Sequence, residues 1–221
     1  MMTGNACQTD APQARSDMVE PDGVDDLLTM VTRLLTQAGA YSVLHPGCGC
    51  GRYGRHLAQA GFLVTAFDLT TVAVRAAASR NAVSDATIRY LVGDPSLPSR
   101  DIGQYDGLFA PNILHLFLTP DRHRLLRMLG KHLRIGGLAV ITALSVNDAR
   151  YGQGREVEPN TFEILPGQYI HFYSEEELHV ELARHLRLSV IEPAIEIEVD
   201  HLGNRREYSV LLACGVKSHD H

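Results

Sequence analysis

A chain of 221 residues with 45% hydrophobic and 21% charged residues suits one globular α/β unit that can bury a continuous core. Its net charge of −6 and pI of about 6.0 lack the basic footprint that drives phosphate binding, so DNA and RNA are not expected partners. No apolar run approaches a membrane span of roughly 20 residues, and no apolar secretory core follows the first methionine, so a soluble protein of the cytoplasm is expected. Cys7, Cys48, Cys50 and Cys214 form no CxxC pair, which disfavours a disulfide framework or zinc site; no metal is expected.

Residues 1–22 are polar and aperiodic and read as a flexible tail ahead of one domain over 23–217. From Asp25 an apolar stripe of Leu27, Leu28, Val31, Leu34 and Leu35 predicts a helix ended by Gly39. Strands and helices then alternate. Strands are expected at Tyr41–Leu44, Phe62–Phe67, Thr87–Val92, Tyr105–Ala110 and Leu138–Leu144, with helices over 52–60, 71–82 and 120–134. Such alternation implies a parallel sheet with helices on both faces. The densest basic stretch, Arg122, Arg124, Arg127, Lys131 and Arg134, falls on the last of these helices and reads as its solvated face.

Residues 146–173 show no period and hold Gly152, Gly154, Pro159, Pro166 and Gly167, which predicts a long loop folding over an active site as a lid. Ser174 with Glu177 three residues on is a capping-box pattern for a further helix. Two final runs, Leu188–Val199 and Arg205–Cys214, flank a hairpin-like connection.

The most informative stretch is Val43-Leu44-His45-Pro46-Gly47-Cys48-Gly49-Cys50-Gly51-Arg52, a glycine loop between strand and helix. Glycines let backbone approach a ligand, and the helix start offers free N–H groups. Gly47, Gly49 and Gly51 give G-x-G-x-G; Gly49, Gly51 and Gly54 give the dinucleotide pattern G-x-G-x-x-G, which would suit a nicotinamide oxidoreductase. The second register starts five residues past Leu44 rather than at the strand end, so the first is preferred. Asp68, 21 residues after Gly47, stands where an acid accepts ribose hydroxyls, and it could equally cap the helix that follows.

On these residues the chain resembles the class I S-adenosylmethionine (SAM)-dependent methyltransferases. VLHPGCGCGR, FDLTTVAV, VGDPSLP and YDGLFAPNILHLF carry the resemblance over about residues 40–145. The C-terminal stretch looks similar to a bacterial subgroup described as tellurite-resistance-like or uncharacterised. The resemblance implies a Rossmann-like fold with a mostly parallel seven-stranded sheet, an antiparallel C-terminal strand and helices on both faces. It implies SAM as cofactor and S-adenosylhomocysteine (SAH) as product. Gly47, Gly49 and Gly51 would lie along the methionine part. Asp68, with Leu69 beside it, would take the ribose. Asp94 would reach the adenine amino group with Pro95 beside the ring, and Asn112 to His115 would face the transferable methyl. His45 stands where the family usually has an acid, so His45→Asp would tighten SAM binding; Arg52 could hold the cofactor's carboxylate.

Methyl transfer needs an oriented nucleophile, excluded water and an acceptor for any proton released. Asn112, His115, His171 and Tyr173 are the candidate catalytic residues, with Tyr169 and Phe172 in the same aromatic cluster. His115 and His171 are the general-base candidates, because imidazole titrates near neutrality; each reads equally as a hydrogen-bonded core histidine. The expected reaction is methyl transfer to a small-molecule N, O or S nucleophile. The alternatives are cyclisation of SAM's aminobutyrate arm, releasing methylthioadenosine, and non-catalytic SAM binding.

Overall fold

The computed structural model describes residues 26–81, 88–93, 102–199 and 204–219. Helix α1 (Asp26–Gln37) packs Leu27, Leu28, Val31 and Leu35 inward. Gly39, at φ 69°, ends it, with the Ala40 N–H bonding back to the Leu35 carbonyl. There follow β1 (Ser42–Pro46), α2 (Arg52–Gln59), β2 (Leu63–Asp68), α3 (Thr71–Asn81), β3 (Ile88–Val92), β4 (Tyr105–Pro111), a 3₁₀ turn (Leu114–Leu116), α4 (Thr119–His132) and β5 (Leu133–Leu144). Three short strands come next, β6 (Arg155–Glu158), β7 (Thr161–Leu165) and β8 (Gln168–His171). Then α5 (Glu175–Leu182), β9 (Arg187–Val199) and β10 (Arg205–Val216) complete the described elements.

Seven strands form one sheet in the order β3-β2-β1-β4-β5-β10-β9. Neighbours from β3 to β5 are parallel, and β10 runs antiparallel to both β5 and β9. This is the Rossmann-like methyltransferase sheet that the resemblance implies. Alternating side chains split the core into two layers. Val43, Phe109, Val140 and Leu212 face α1, α2 and α3, whereas their neighbours Leu44, Leu108, Ile141 and Leu211 face α4 and α5.

Three expectations change. Helix α4 ends at His132 and β5 begins at Leu133, with Gly136–Gly137 inside the strand rather than ahead of it. Tyr105 pairs with Leu133 but Gly107 with Leu138, so the extra residues bulge; Gly136 at φ 81° permits it. Within 146–173 the expected loop is a second, antiparallel sheet, β6-β7-β8. Its turns hold Pro159–Asn160, with Asn160 at φ 57°, and Pro166–Gly167, with Gly167 at φ 76°. The residues that look like loop punctuation are hairpin turns between strands too short to show a period.

The third change concerns Arg122. It is 3% exposed, so it does not share the solvated face of Arg127 and Lys131. Its guanidinium donates to the Phe117 carbonyl (2.8 Å) and to Thr119 Oγ1 (3.1 Å), and its Nε lies 3.6 Å from Glu181. Ser174 caps α5 as its pattern predicts, accepting the Glu177 N–H at 3.1 Å. The Glu177 side chain turns elsewhere, to Asn160 and His171.

Strand β10 pairs with β5 only from Val210, opposite Leu144. Residues 205–209, still paired with 195–199 of β9, therefore overhang the carboxyl end of the sheet as an arm. Asp148 accepts the Ser209 N–H (2.9 Å), the Ser145 N–H bonds the Ser209 carbonyl (2.9 Å), and the Arg150 guanidinium lies 4.3 Å from the centre of the Tyr208 ring. β9 is the outer strand on this side of the sheet and carries Pro193.

Candidate cofactor and active site

Strand order reverses between β1 and β4. In open α/β sheets ligands bind at such a switch point, outside the carboxyl ends of the strands. Gly47, Gly49 and Gly51 follow β1 there at φ 68°, 50° and 86°, a left-handed path that strains other residues. A Cβ on Gly47 would lie 2.8 Å from the end of Ile113, and one on Gly51 2.8 Å from Ala77. A Cβ on Gly49 would meet nothing within 4 Å, so open space lies over the middle of the loop.

Asp68, 3% exposed at the end of β2, fixes this loop. Its Oδ2 accepts the Gly49 N–H (3.0 Å) and its Oδ1 the Thr70 N–H (3.0 Å). Thr70 Oγ1 then accepts the Ala73 N–H and caps α3. The Thr70 hydroxyl also donates to Oδ1 (3.3 Å), so the carboxylate stands between loop and helix start with Oδ2 carrying a single bond and room for another donor. Leu69 beside it is half-buried. Asp94 and Pro95 lie outside the described residues. Helix α2 starts from Gly51 without a side-chain cap or an acid in its first turn, which leaves its first N–H groups to solvent or ligand.

His45 departs from its expected role. Its side chain is fully enclosed, stacked on Phe109 (5.8 Å) and edge-on to Tyr53 (6.2 Å). Nδ1 bonds the Phe109 carbonyl at 3.1 Å, and buried Nε2 has no hydrogen-bond partner. Burial lowers its pKa to about 4, so the ring is neutral at physiological pH and cannot repel a cationic cofactor. Enclosure leaves only its backbone for a ligand. An Asp here would bury a carboxylate against a carbonyl, so His45→Asp is now expected to destabilise the protein instead of tightening binding.

Across the crevice, Asn112 follows directly on β4 at φ 42°, a conformation asparagine tolerates better than most residues. Its N–H bonds the Thr142 carbonyl (3.0 Å), and its Nδ2 donates to Glu196 of β9. The Tyr53 hydroxyl donates to the other oxygen of Glu196. Arg52 Nη1 reaches the Ile197 carbonyl at 3.4 Å. The arm therefore lies across the crevice, touching the β1 side and the β4 side together. Sequence reasoning missed Glu196, because Ile195-Glu196-Ile197 reads as the polar face of an outer strand; only the overhang turns it inward.

The catalytic candidates divide. Asn112 and His115 stand beside the crevice, on the segment after β4. His115 Nδ1 is buried without a hydrogen-bond partner, and burial, with the nearby Arg150 and His171, lowers its pKa to about 3. It is a neutral acceptor at pH 7 and a weak base. His171 and Tyr173, expected as catalytic residues at the end of a lid, are both fully enclosed. His171 bonds Thr161 (2.8 Å) and lies 3.2 Å from Glu177. Tyr173 donates to Glu181 at 2.6 Å, and burial first, then Glu181, raises its pKa well above the usual value. With Arg122 they tie the small sheet and α5 to α4. A cavity of about 420 Å³ opens in this network, lined by Thr119, Arg122, Asn160 and Glu177 among others.

Residues 43–137 match the family described as a methyltransferase domain. No curated protein matches the chain by sequence. Among solved structures, a protein studied for conversion of a disulfide bond into a thioacetal group during echinomycin biosynthesis is similar, with a TM-score of 0.70 at 20% identity over 89% of this chain and 83% of that one. A SAM-dependent methyltransferase from Methanosarcina mazei gives 0.66 at 19% identity, covering 80% and 93%. A 1,6-didemethyltoxoflavin-N1-methyltransferase from Burkholderia thailandensis gives 0.66 at 19%, covering 87% and 79%. Sheet order and glycine loop define the class: a Rossmann-like methyltransferase fold. Residues 43–137 match a methyltransferase domain on the fold of the SAM-dependent methyltransferases, so SAM is the molecule to set against the site. The residues present fit that molecule, with open backbone at Gly49, an acid at the end of β2 and polar groups across the crevice at Asn112.

Proposed function

We propose that this chain transfers the methyl group of SAM to a small-molecule nucleophile, in the cytoplasm. The observation that carries the reading is the crevice between β1 and β4, roofed by the β9–β10 arm, which suits a compact acceptor better than a polymer. The net charge of −6 supports this against nucleic acids, and no helix among the described residues is long and apolar enough to cross a membrane. The structural neighbour from Burkholderia thailandensis, seen with 1,6-didemethyltoxoflavin, acts on a small molecule on the same fold.

When bound, SAM supplies a methyl carbon made electrophilic by its sulfonium. The chain's own residues bind, orient and exclude water. The glycine loop approaches the cofactor through its backbone, and Asp68 accepts the ribose hydroxyls while holding Gly49. Asn112, fixed by Thr142, sets the β4 wall of the site. His115 accepts a hydrogen bond from the acceptor as a neutral ring, which suits a nucleophile that needs orientation more than deprotonation. The small sheet β6-β7-β8 packs beside the 3₁₀ turn as the cover on the acceptor side. The cyclisation reading rests on His45–Pro46 altering the cofactor's amino-acid end, and the enclosed His45 side chain gives it no support.

The test is calorimetric titration with SAM, SAH and NAD, followed by an acceptor screen read by product mass. SAM and SAH should bind and NAD should not, and turnover should release SAH. Release of methylthioadenosine would overturn methyl transfer. Hydrogen bonds to a charged acceptor contribute about 1.5–3 kcal/mol, so Asp68→Ala is expected to weaken SAM binding roughly 10- to 150-fold. Unchanged affinity in that variant would remove Asp68 from the site.

A further inference from the structure

Glu196 is carried into the crevice by the arm and is 6% exposed, on a strand whose neighbouring Ile195 is 53% exposed. Its two oxygens accept from Tyr53, 143 residues away, and from Asn112, 84 residues away. Those partners stand on opposite sides of the switch point, so the carboxylate spans the place where a ligand must pass.

We propose that Glu196 binds the α-ammonium of SAM's amino-acid end, exchanging bonds from Tyr53 and Asn112 for one to that cation. This rests on the cofactor reading above. Direction along the sheet fixes which end of the cofactor lies there. Asp68 closes β2, which stands between β3 and β1. With the ribose at Asp68, one end of the molecule points toward β3 and the other over β1 and β4. In this fold type the first βα loop takes the group beyond the ribose, so the base lies on the β3 side and the amino-acid arm over β1 and β4. Glu196 is the carboxylate bonded to both walls at that place.

The chemistry agrees. A carboxylate offers about four acceptor sites, so an ammonium can bond it where Tyr53 and Asn112 do. The ammonium brings a full positive charge to the carboxylate, a Coulomb attraction that the neutral Tyr53 and Asn112 donors do not supply. Arg52 contacts the carbonyl of the next residue, Ile197, at 3.4 Å, which places a guanidinium on the same stretch of the arm. The arm is a fixed wall rather than a loose flap, because Asp148, Ser145 and Arg150 all hold its β10 strand.

The experiment is calorimetry on the full chain and on Glu196→Gln with two probes, SAH and methylthioadenosine. Both carry adenosine and a thioether; only SAH has the amino-acid arm. Glu196→Gln is expected to lower SAH affinity roughly 10- to 100-fold and to leave methylthioadenosine affinity unchanged, which also shows that the variant is folded. Glu196→Asp, which keeps the charge, should lose less. Unchanged SAH affinity, or an equal loss for both probes, would overturn the assignment. A wild-type chain that binds neither probe would overturn the cofactor reading itself, and this one with it.

Discussion

Replacing Arg122 by Met is expected to cost about 3–5 kcal/mol and to lower the melting temperature by roughly 6–20 °C. The reason is what it leaves behind. Glu181 is 6% exposed and accepts from Tyr173, with the Arg122 guanidinium at 3.6 Å and the His123 ring at 3.2 Å beside it. Without the guanidinium, a buried carboxylate loses its main counter-charge, and the carbonyl of Phe117 and hydroxyl of Thr119 lose a donor. A buried pair is not in itself strongly stabilising; the penalty belongs to the orphaned partner. The double variant Arg122→Met with Glu181→Gln should therefore be more stable than the single one. Denaturant unfolding of the wild type, both single variants and the double variant decides it. A single-variant cost below about 1 kcal/mol, or a double variant as unstable as the sum of both singles, would refute the account.

Mild acid should destabilise the protein well before its carboxylates titrate. His45 has a folded pKa of about 4 against an ordinary value of 6.5. Below pH 6.5 the unfolded chain gains a proton there that the folded chain refuses, so stability is full above about pH 6.5 and falls toward pH 4. The slope is about 1.4 kcal/mol per pH unit for each such group, or on the order of 3 kcal/mol for His45 across that window. His115, lowered to about 3, adds a second slope of the same sign. Asp106, Asp148, Glu163 and Glu177 have lowered pKa values too, so their contributions disappear only at still lower pH. Urea unfolding between pH 7 and pH 4.5 measures the sum. His45→Asn keeps a side-chain donor for the Phe109 carbonyl and removes the titration, so it should flatten the slope by about one proton. An unaltered slope would mean that His45 is not the group responsible.

Much of the fold was legible because its signals are local. Each βα unit shows a short apolar run, a glycine or aspartate at its end and then helical spacing. The cofactor loop stood out for the same reason, since three alternating glycines in left-handed backbone follow directly on a strand. The small sheet was not legible, because strands of four or five residues between Pro-Asn and Pro-Gly turns carry too little periodicity to separate from loop. Arg122 resembled its neighbours on α4, and nothing local marks it as the one that turns inward to Glu181. His171 and Tyr173 sit in an aromatic cluster that suggests a binding wall, yet their burial depends on Thr161, Glu177 and Glu181. Glu196 was the hardest to read, since its position depends on how far two strands project past a third.

The outer position of β9 has a consequence beyond the site. An uncapped strand is a template on which another chain can extend the sheet. Here Val190 and Ile195 are exposed at 40% and 53%, which would reward such growth. Pro193 stands between them and has no N–H to give an incoming strand, and Glu192 beside it is exposed. A second copy laid along this edge would lose a rung of its ladder at the centre and meet a carboxylate there, which closes one route to aggregation.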